Sequence, residues 1–309
     1  MKKLIGVIGF LIIAFILFYL FIPATKNFTY QNTANVTPTA VTRKIIHKNE
    51  WQSWWPGKII NDSTYQFQNN IFRINKILLD AVETTVFNNN DSLKGYLQFT
   101  GFGQDSTQFI WVSEYHFPVN PFKRLGKYFQ LNKIQRDIKI LVDSIQNRFN
   151  NPVNIYGMNV KEEKITDSSL ISLKNIFSHY PSTNEIYSMI DSLHDYIKEN
   201  DVEENNYPML NVHQTGPSVY ETMVAIPTKK DMKSKGSFQL KKMVLNSNVL
   251  TGEIKGGVRS VINGEQRLRY YANDYHKMAP AISFQSLVTN RMEETDTTKW
   301  ITRLYYPVF

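Results

Sequence analysis

The chain has 309 residues, enough for about two domains of ordinary size, and its 42% hydrophobic and 20% charged content is globular rather than disordered. A net charge of +8 spread thinly, with no long Lys/Arg run, leaves no nucleic-acid partner to expect. The absence of cysteine excludes disulfides, thiolate metal sites and cysteine nucleophiles.

An uncharged run, LIGVIGFLIIAFILFYLFI, begins at Leu4 and ends at Ile22. As a helix it spans roughly 28 Å, the thickness of a bilayer core. A cleaved signal peptide is the competing reading. The run exceeds the usual length of a signal core, and no clear A-x-A site follows, which favours a retained anchor. Lys2 and Lys3 precede it, and after Lys26 no basic residue comes before Arg43. That asymmetry predicts a single-pass membrane protein with its bulk outside the cytoplasm, on the periplasmic face in a bacterium. The expected organisation is an anchor over residues 1–24, a first domain over 25–150 and a second over 151–309.

In the first domain, Phe28-Thr29-Tyr30 opens a strand. Thr37-Pro38 reads as a helix N-cap followed by Pro in the first turn, predicting a short helix to about Ile46. Trp51, Trp54 and Trp55 then crowd ahead of the Pro56-Gly57 turn. Alternating segments near residues 65–67, 71–78, 81–87, 93–99 and 108–115 predict antiparallel strands in sequence order. From Phe122 to Phe149, apolar residues recur mostly every three or four positions, the signature of one long amphipathic helix. A long helix across a curved sheet leaves room for a cavity between them.

The early helix, the W-x-x-W-W-P element at Trp51–Pro56, the meander and the helix after Asn120-Pro121 together resemble the START-like superfamily, also called SRPBCC or polyketide-cyclase-like. The resemblance implies a helix-grip fold around an apolar pocket, with Trp54 and Trp111 as candidate ligand contacts. Core packing at the sheet edge is the competing role for the tryptophans.

The second domain contains an internal echo. A strand is predicted over residues 153–160 and an extra one over 170–177. A helix follows with Ser182 and Glu185 as a capping box, then a hairpin over residues 209–226. The second half repeats the order: a strand over 249–255, Gly256-Gly257, a helix bearing Val261, Leu268, Tyr271 and Tyr275, and strands over 284–289 and 301–306. Asn206-Tyr207-Pro208-Met209, Met223-Val224-Ala225-Ile226-Pro227, Gly256-Gly257 and the stretch from Thr295-Asp296-Thr297 to Tyr305-Tyr306-Pro307-Val308 resemble the GyrI-like fold, the effector-binding domain of AraC- and MerR-type regulators. That resemblance implies an aromatic-lined cleft for apolar, often cationic ligands. The family's acidic strand position falls on Gln285, which cannot supply a charge or act as a base; Glu221 or Glu253 could substitute.

The expected fold class is therefore α+β: a helix-grip domain, then a domain of duplicated strand–helix–strand–strand units, behind one transmembrane helix. Candidate ligand-binding residues are Tyr156, Phe177, Tyr220, Glu221, Glu253, Phe284, Gln285, Trp300 and Tyr305, besides the two tryptophans. The six histidines show no metal-ligand spacing, and there is no G-x-S-x-G elbow or Walker A loop, so neither metal nor cofactor is expected. Gly101-Phe102-Gly103 lacks a third glycine and reads as a turn. The functional expectation is a membrane-anchored binder of an apolar small molecule, without a DNA-binding module. The alternatives are a hydrolase or cyclase using a pocket carboxylate or tyrosine, or a module that grips a protein partner. The bilayer and an apolar ligand are the expected partners; a protein partner is left open.

Overall fold

The computed structural model describes residues 19–89 and 91–309, together with 9, 10, 13, 15 and 16. Among the described residues no helix is long and apolar enough to cross a membrane. The anchor expected over residues 4–22 falls mostly outside them. The chain divides into two compact units, Met1–Ile155 and Tyr156–Phe309.

The first unit is a seven-stranded antiparallel sheet with a long helix, a helix-grip-like arrangement. Strand β1 (Thr25–Ala34) leads to α1 (Pro38–Ile46) and a single turn, α2 (Trp51–Trp54). A meander follows: β2 (Lys58–Asn61), β3 (Thr64–Phe67), β4 (Asn70–Ile77), β5 (Ala81–Asn88), β6 (Asp91–Gly101) and β7 (Thr107–His116). The sheet order is β1-β7-β6-β5-β4-β3-β2. The first strand pairs with the last, from Thr25 opposite His116 to Ala34 opposite Thr107. Helix α3 (Pro121–Phe149) then crosses the sheet. Helix α1 starts as the Thr37-Pro38 pair predicts, and α3 starts in the same way after Asn120-Pro121. Thr37 accepts from the Ala40 amide, and Asn120 accepts from the amides of Phe122 and Lys123.

Side chains along α3 tie it to the sheet. Asp137 accepts from Asn70 at 2.8 Å, and Asp143 accepts from Tyr30 at 2.7 Å and Asn32 at 2.8 Å. The apolar face expected to begin at Phe122 becomes a buried face only from Leu131 onward. Phe122 and Phe129 are exposed, and Phe122 stacks on Phe15 at 5.0 Å. Periodicity reports which side of a helix is apolar, and how far along it the sheet extends is a tertiary matter.

The cavity expected beneath α3 is filled. Trp51 lies 4.6 Å from Trp54 and 4.7 Å from Tyr65 between ring centres, Trp54 lies 5.5 Å from Phe149, and Phe72 meets Trp111 edge-on at 6.3 Å. A void of about 10 Å³ among these rings leaves room for no more than about one water molecule. Each indole N–H is satisfied inside the protein: Trp51 donates to the Ile45 carbonyl at 2.8 Å, Trp54 to the Lys44 carbonyl at 3.3 Å, and Trp111 to the Ser113 hydroxyl at 3.1 Å. Trp54 and Trp111 are buried here as core residues, the competing role expected for the tryptophans.

In the second unit an eight-stranded sheet carries two helices. Residues 153–160, expected as a strand, start instead with a helical turn, α4 (Pro152–Tyr156). Asn151 accepts from the Val153 amide at 3.0 Å, so Asn151-Pro152 is a third capped helix start of the same kind. The order continues β8 (Lys161–Lys164), β9 (Ser169–Phe177), α5 (Thr183–Glu199), β10 (Met209–Gly216), β11 (Val219–Pro227), β12 (Gln239–Lys242), β13 (Asn248–Lys255), α6 (Val258–Asp274), β14 (Phe284–Leu287) and β15 (Ile301–Pro307). The expected capping box is present at the start of α5.

The sheet order is β12-β9-β11-β10-β14-β15-β13-β8. The echo is thus β9-α5-β10-β11 followed by β13-α6-β14-β15, and the strand expected to be extra is the true first strand of its copy. The copies meet tip to tip at β10 and β14, and lysine-bearing strands, β12 and β8, close the two outer edges, a common protection of open edges. The join is narrow: β10 pairs with β14 only at Met209–Ser286 and Leu210–Gln285. Beyond Leu210 the two half-sheets part.

Candidate functional site

The two faces of the second sheet are finished differently. On one face Ile171, Leu210, Val224, Ile226 and Leu287 pack against Ile186, Ile190, Leu193 and Ile197 of α5. On the other, Leu170, Met209 and Ala225 form a smaller cluster with Met243 and Phe284. Instead of a helix, the segment around Lys241–Ser247, the loop Pro280–Ile282 and the terminal residues Pro307–Phe309 wall this face. The result is a cavity of about 500 Å³, lined mostly by apolar side chains including Met209, Met223 and Met243. Methionine is unbranched and polarizable, so such a wall adapts to ligands of different shape. The volume is ordinary for a small-molecule site.

Two recesses adjoin this cavity. One, of about 620 Å³, opens where the half-sheets part; it shares Asn211, Met223, Lys241, Ala281 and Ile282 with the cavity and adds Lys174, His213, Glu221 and Arg269. The other, of about 220 Å³, shares Ile165, Met209, Met243 and Phe284 and adds Asp167, Arg303 and Tyr305. Asn205 and Asn206 donate to Asp167 at 2.6 and 3.2 Å.

The candidates named from the sequence separate by face. Phe284 and Tyr305 lie on the cavity side, stacked at 4.7 Å with ring planes 7° apart. Burial pushes the Tyr305 hydroxyl pKa up, which disfavours it as a base. Glu221 lines the large recess, where Lys174 pairs with it at 2.6 Å. Glu253 lines a separate shallow hollow of about 250 Å³ with Arg303 and Lys161. It is exposed.

Gln285 is paired across from Leu210 and Leu304 and is buried, on the helix-bearing face rather than in the cavity. Tyr220 pairs across from Phe177 on that same face, and Tyr180 approaches Tyr220 edge-on at 6.0 Å. Trp300 is buried with its N–H donating to the Glu294 carbonyl at 2.7 Å, and the Arg291 guanidinium sits 4.9 Å over its ring. Tyr156 is buried and donates to Asp274 at 2.8 Å. Structure therefore sets Phe284 at the cavity, Tyr305 in the smaller adjoining recess and Glu221 at the polar annex, and leaves Tyr156, Phe177, Tyr220, Gln285 and Trp300 elsewhere.

The helix-bearing face holds a polar cluster of its own. The Arg291 amide donates to the Tyr187 hydroxyl at 2.7 Å, and its guanidinium donates to Thr302 at 2.8 Å. Burial depresses the Arg291 pKa, and the Nε–H has no partner among the described residues. Burial, reinforced by the nearby Glu265 carboxylate, pushes the Tyr180 hydroxyl up to about 12. Burial likewise raises the Glu265 pKa. No nucleophile paired with a base emerges from these groups. Among the described residues no cluster of three or more His, Asp or Glu side chains could hold a metal.

Sequence reading missed Met209, Met223, Met243 and Lys241 as cavity residues. A methionine-rich stretch between Met209 and Met243 was the available signal, and methionine is equally at home in a closed core.

No protein-family model matches the chain, and no curated protein matches it. Among solved structures, it is similar to the EcmrR C-terminal domain at 13% identity and TM-score 0.42, over 49% of this chain and 98% of that one. SAV2435 bound to tetraphenylphosphonium matches at 15% identity and TM-score 0.32, over 49% and 94% of the two chains. The di-domain ARO/CYC protein BexL matches at 7% identity and TM-score 0.32, over 92% and 85%. Fold and site by themselves define a two-unit α+β protein with one packed unit and one hollow one.

Proposed function

We propose that the chain binds an apolar small molecule in the second unit. The observation that supports this reading is the cavity of about 500 Å³ with its methionine-rich apolar walls. An apolar ligand placed there exchanges water for mostly apolar walls, so burial of its surface drives binding at roughly 25 cal/mol per Å² before association costs. In this reading the first unit is a START-like domain whose pocket is closed by its own tryptophans, and the second is a GyrI-like domain over residues 151–309. Residues 4–22 anchor the chain to a membrane, with both units on its outer side. The enzyme alternative draws no support from the site, because Glu221 is already ion-paired and Glu253 stands exposed.

The test is a thermal-shift and native mass spectrometry screen of the purified chain against lipophilic compounds, repeated with Ala225→Trp. Ala225 is a small residue in the cavity wall, so the larger ring occupies the space. Stabilising ligands that lose binding in Ala225→Trp are the expected result. Absence of any ligand across a broad lipophilic set would sink the proposal. Resistance to alkaline carbonate extraction from native membranes, lost on deletion of residues 4–22, is expected for the anchor.

A further inference from the structure

The apolar cavity and its polar annex are continuous, sharing Asn211, Met223, Lys241, Ala281 and Ile282. A ligand lying across both has one end among methionines and the other among ionic side chains. The charges in the annex do not cancel. Lys174 is neutralised by Glu221 at 2.6 Å. The side chains of Lys241 and Arg269 make no hydrogen bond or close ion pair with any described residue, and no second carboxylate lines the recess. Glu265 lies one helical turn before Arg269 and is close enough to feel its charge, but it does not line the recess.

The rim adds a second observation. Val244, Ile282 and Phe309, from three separate segments, line the cavity mouth and stand exposed at 76%, 61% and 71%. An apolar rim beside unpaired cations is the complement of an apolar chain that ends in an anion.

We infer that the ligand of this cavity is a single-chain anionic amphiphile, with its apolar chain against Met209, Met223 and Met243 and its head, a carboxylate or phosphate, between Lys241 and Arg269. This deepens the binding reading above and rests on it. It also sets the sign of the ligand's charge opposite to that expected from the GyrI-like resemblance. In an annex open to solvent each cation contributes modestly, so the head selects among ligands while the chain supplies most of the affinity.

The test uses three probes of equal chain length, dodecanoate, dodecanol and dodecyltrimethylammonium, each below its micellar concentration, titrated into the purified full chain by calorimetry. Dodecanoate is expected to bind roughly tenfold more tightly than dodecyltrimethylammonium, with the preference shrinking as salt is raised. Lys241→Gln with Arg269→Gln should erase that preference, dodecanoate falling to the affinity of dodecyltrimethylammonium. Lys241→Glu with Arg269→Glu should reverse it. Both positions are exposed, and circular dichroism of the variants checks that the fold is kept. Equal binding of the three probes, or a preference for the cation, overturns the anionic assignment while leaving the cavity reading intact. Failure of all three to bind overturns both. Dodecanoate binding that persists in Ala225→Trp overturns the placement of the chain.

Discussion

The two units use the same materials to opposite ends. Each is an antiparallel sheet with helix packed on one face, and each was expected to enclose a pocket. In the first, the concave space receives Trp51, Trp54, Trp55, Phe72, Trp111 and Phe149, and a void of about 10 Å³ remains among these rings. In the second, the helices cover one face only, and the other is walled by methionines, small residues and short segments around about 500 Å³. Sheet curvature with a helix across it does not make a pocket. What makes one is a deficit of side-chain volume on the enclosed surface, and in the second unit the narrow join between β10 and β14 widens it.

The comparison can be broken or sharpened by substitution. Trp54→Ala removes a fully buried ring from the filled unit and is expected to cost about 3–5 kcal/mol in urea unfolding, with ligand binding in the second unit unaltered. A small cost would mean that the first unit tolerates empty space after all. Gly95→Val is next. A Cβ at that strand position would stand 2.4 Å from the Trp111 ring, so the filled core has no room for it, and a loss of about 1–3 kcal/mol is expected. If Gly95→Val instead unfolds no earlier than the parent in a thermal melt, the packing around Trp111 is looser than described.

Phe284→Ala belongs to the hollow unit. Phe284 is half-buried and stacked on Tyr305, so the stability cost should be about 1–2 kcal/mol, while affinity for a cavity ligand drops about tenfold. A variant with parent-like affinity would remove Phe284 from the site. The last prediction concerns pH. The folded-state pKa of Tyr180 lies above its ordinary value of 10.0, at about 12, so the neutral ring favours folding below pH 10 and that contribution disappears as pH rises toward 12. Tyr180→Phe should flatten part of the alkaline fall in the urea midpoint; an unchanged slope would show that other groups carry it.

Much of the architecture was legible because its signals are local. Thr37-Pro38, Asn120-Pro121 and the Ser182/Glu185 box each mark a helix start through bonds made within four residues. Asn151-Pro152 carries the same signal, and the apolar alternation of the residues after it pointed to a strand instead. Strands β8 and β12 were missed because they are exposed edges rich in lysine, with no buried face to leave an alternating pattern. At the candidate site, Phe284, Tyr305 and Glu221 were found through their residue type and their place in the echo. Gln285 and Tyr220 were put with them, although a strand sends alternate side chains to opposite faces and the register puts these two on the helix-bearing side.

What the chain alone determined is the list of elements, the echo in the second half and the hydrophobic run at residues 4–22, since caps, turns and periodicities are written in neighbouring residues. Whether a given hollow stays open was decided only in three dimensions. Packing depends on the summed volume of side chains that are far apart in the chain, and the same tryptophan can wall a pocket or fill it.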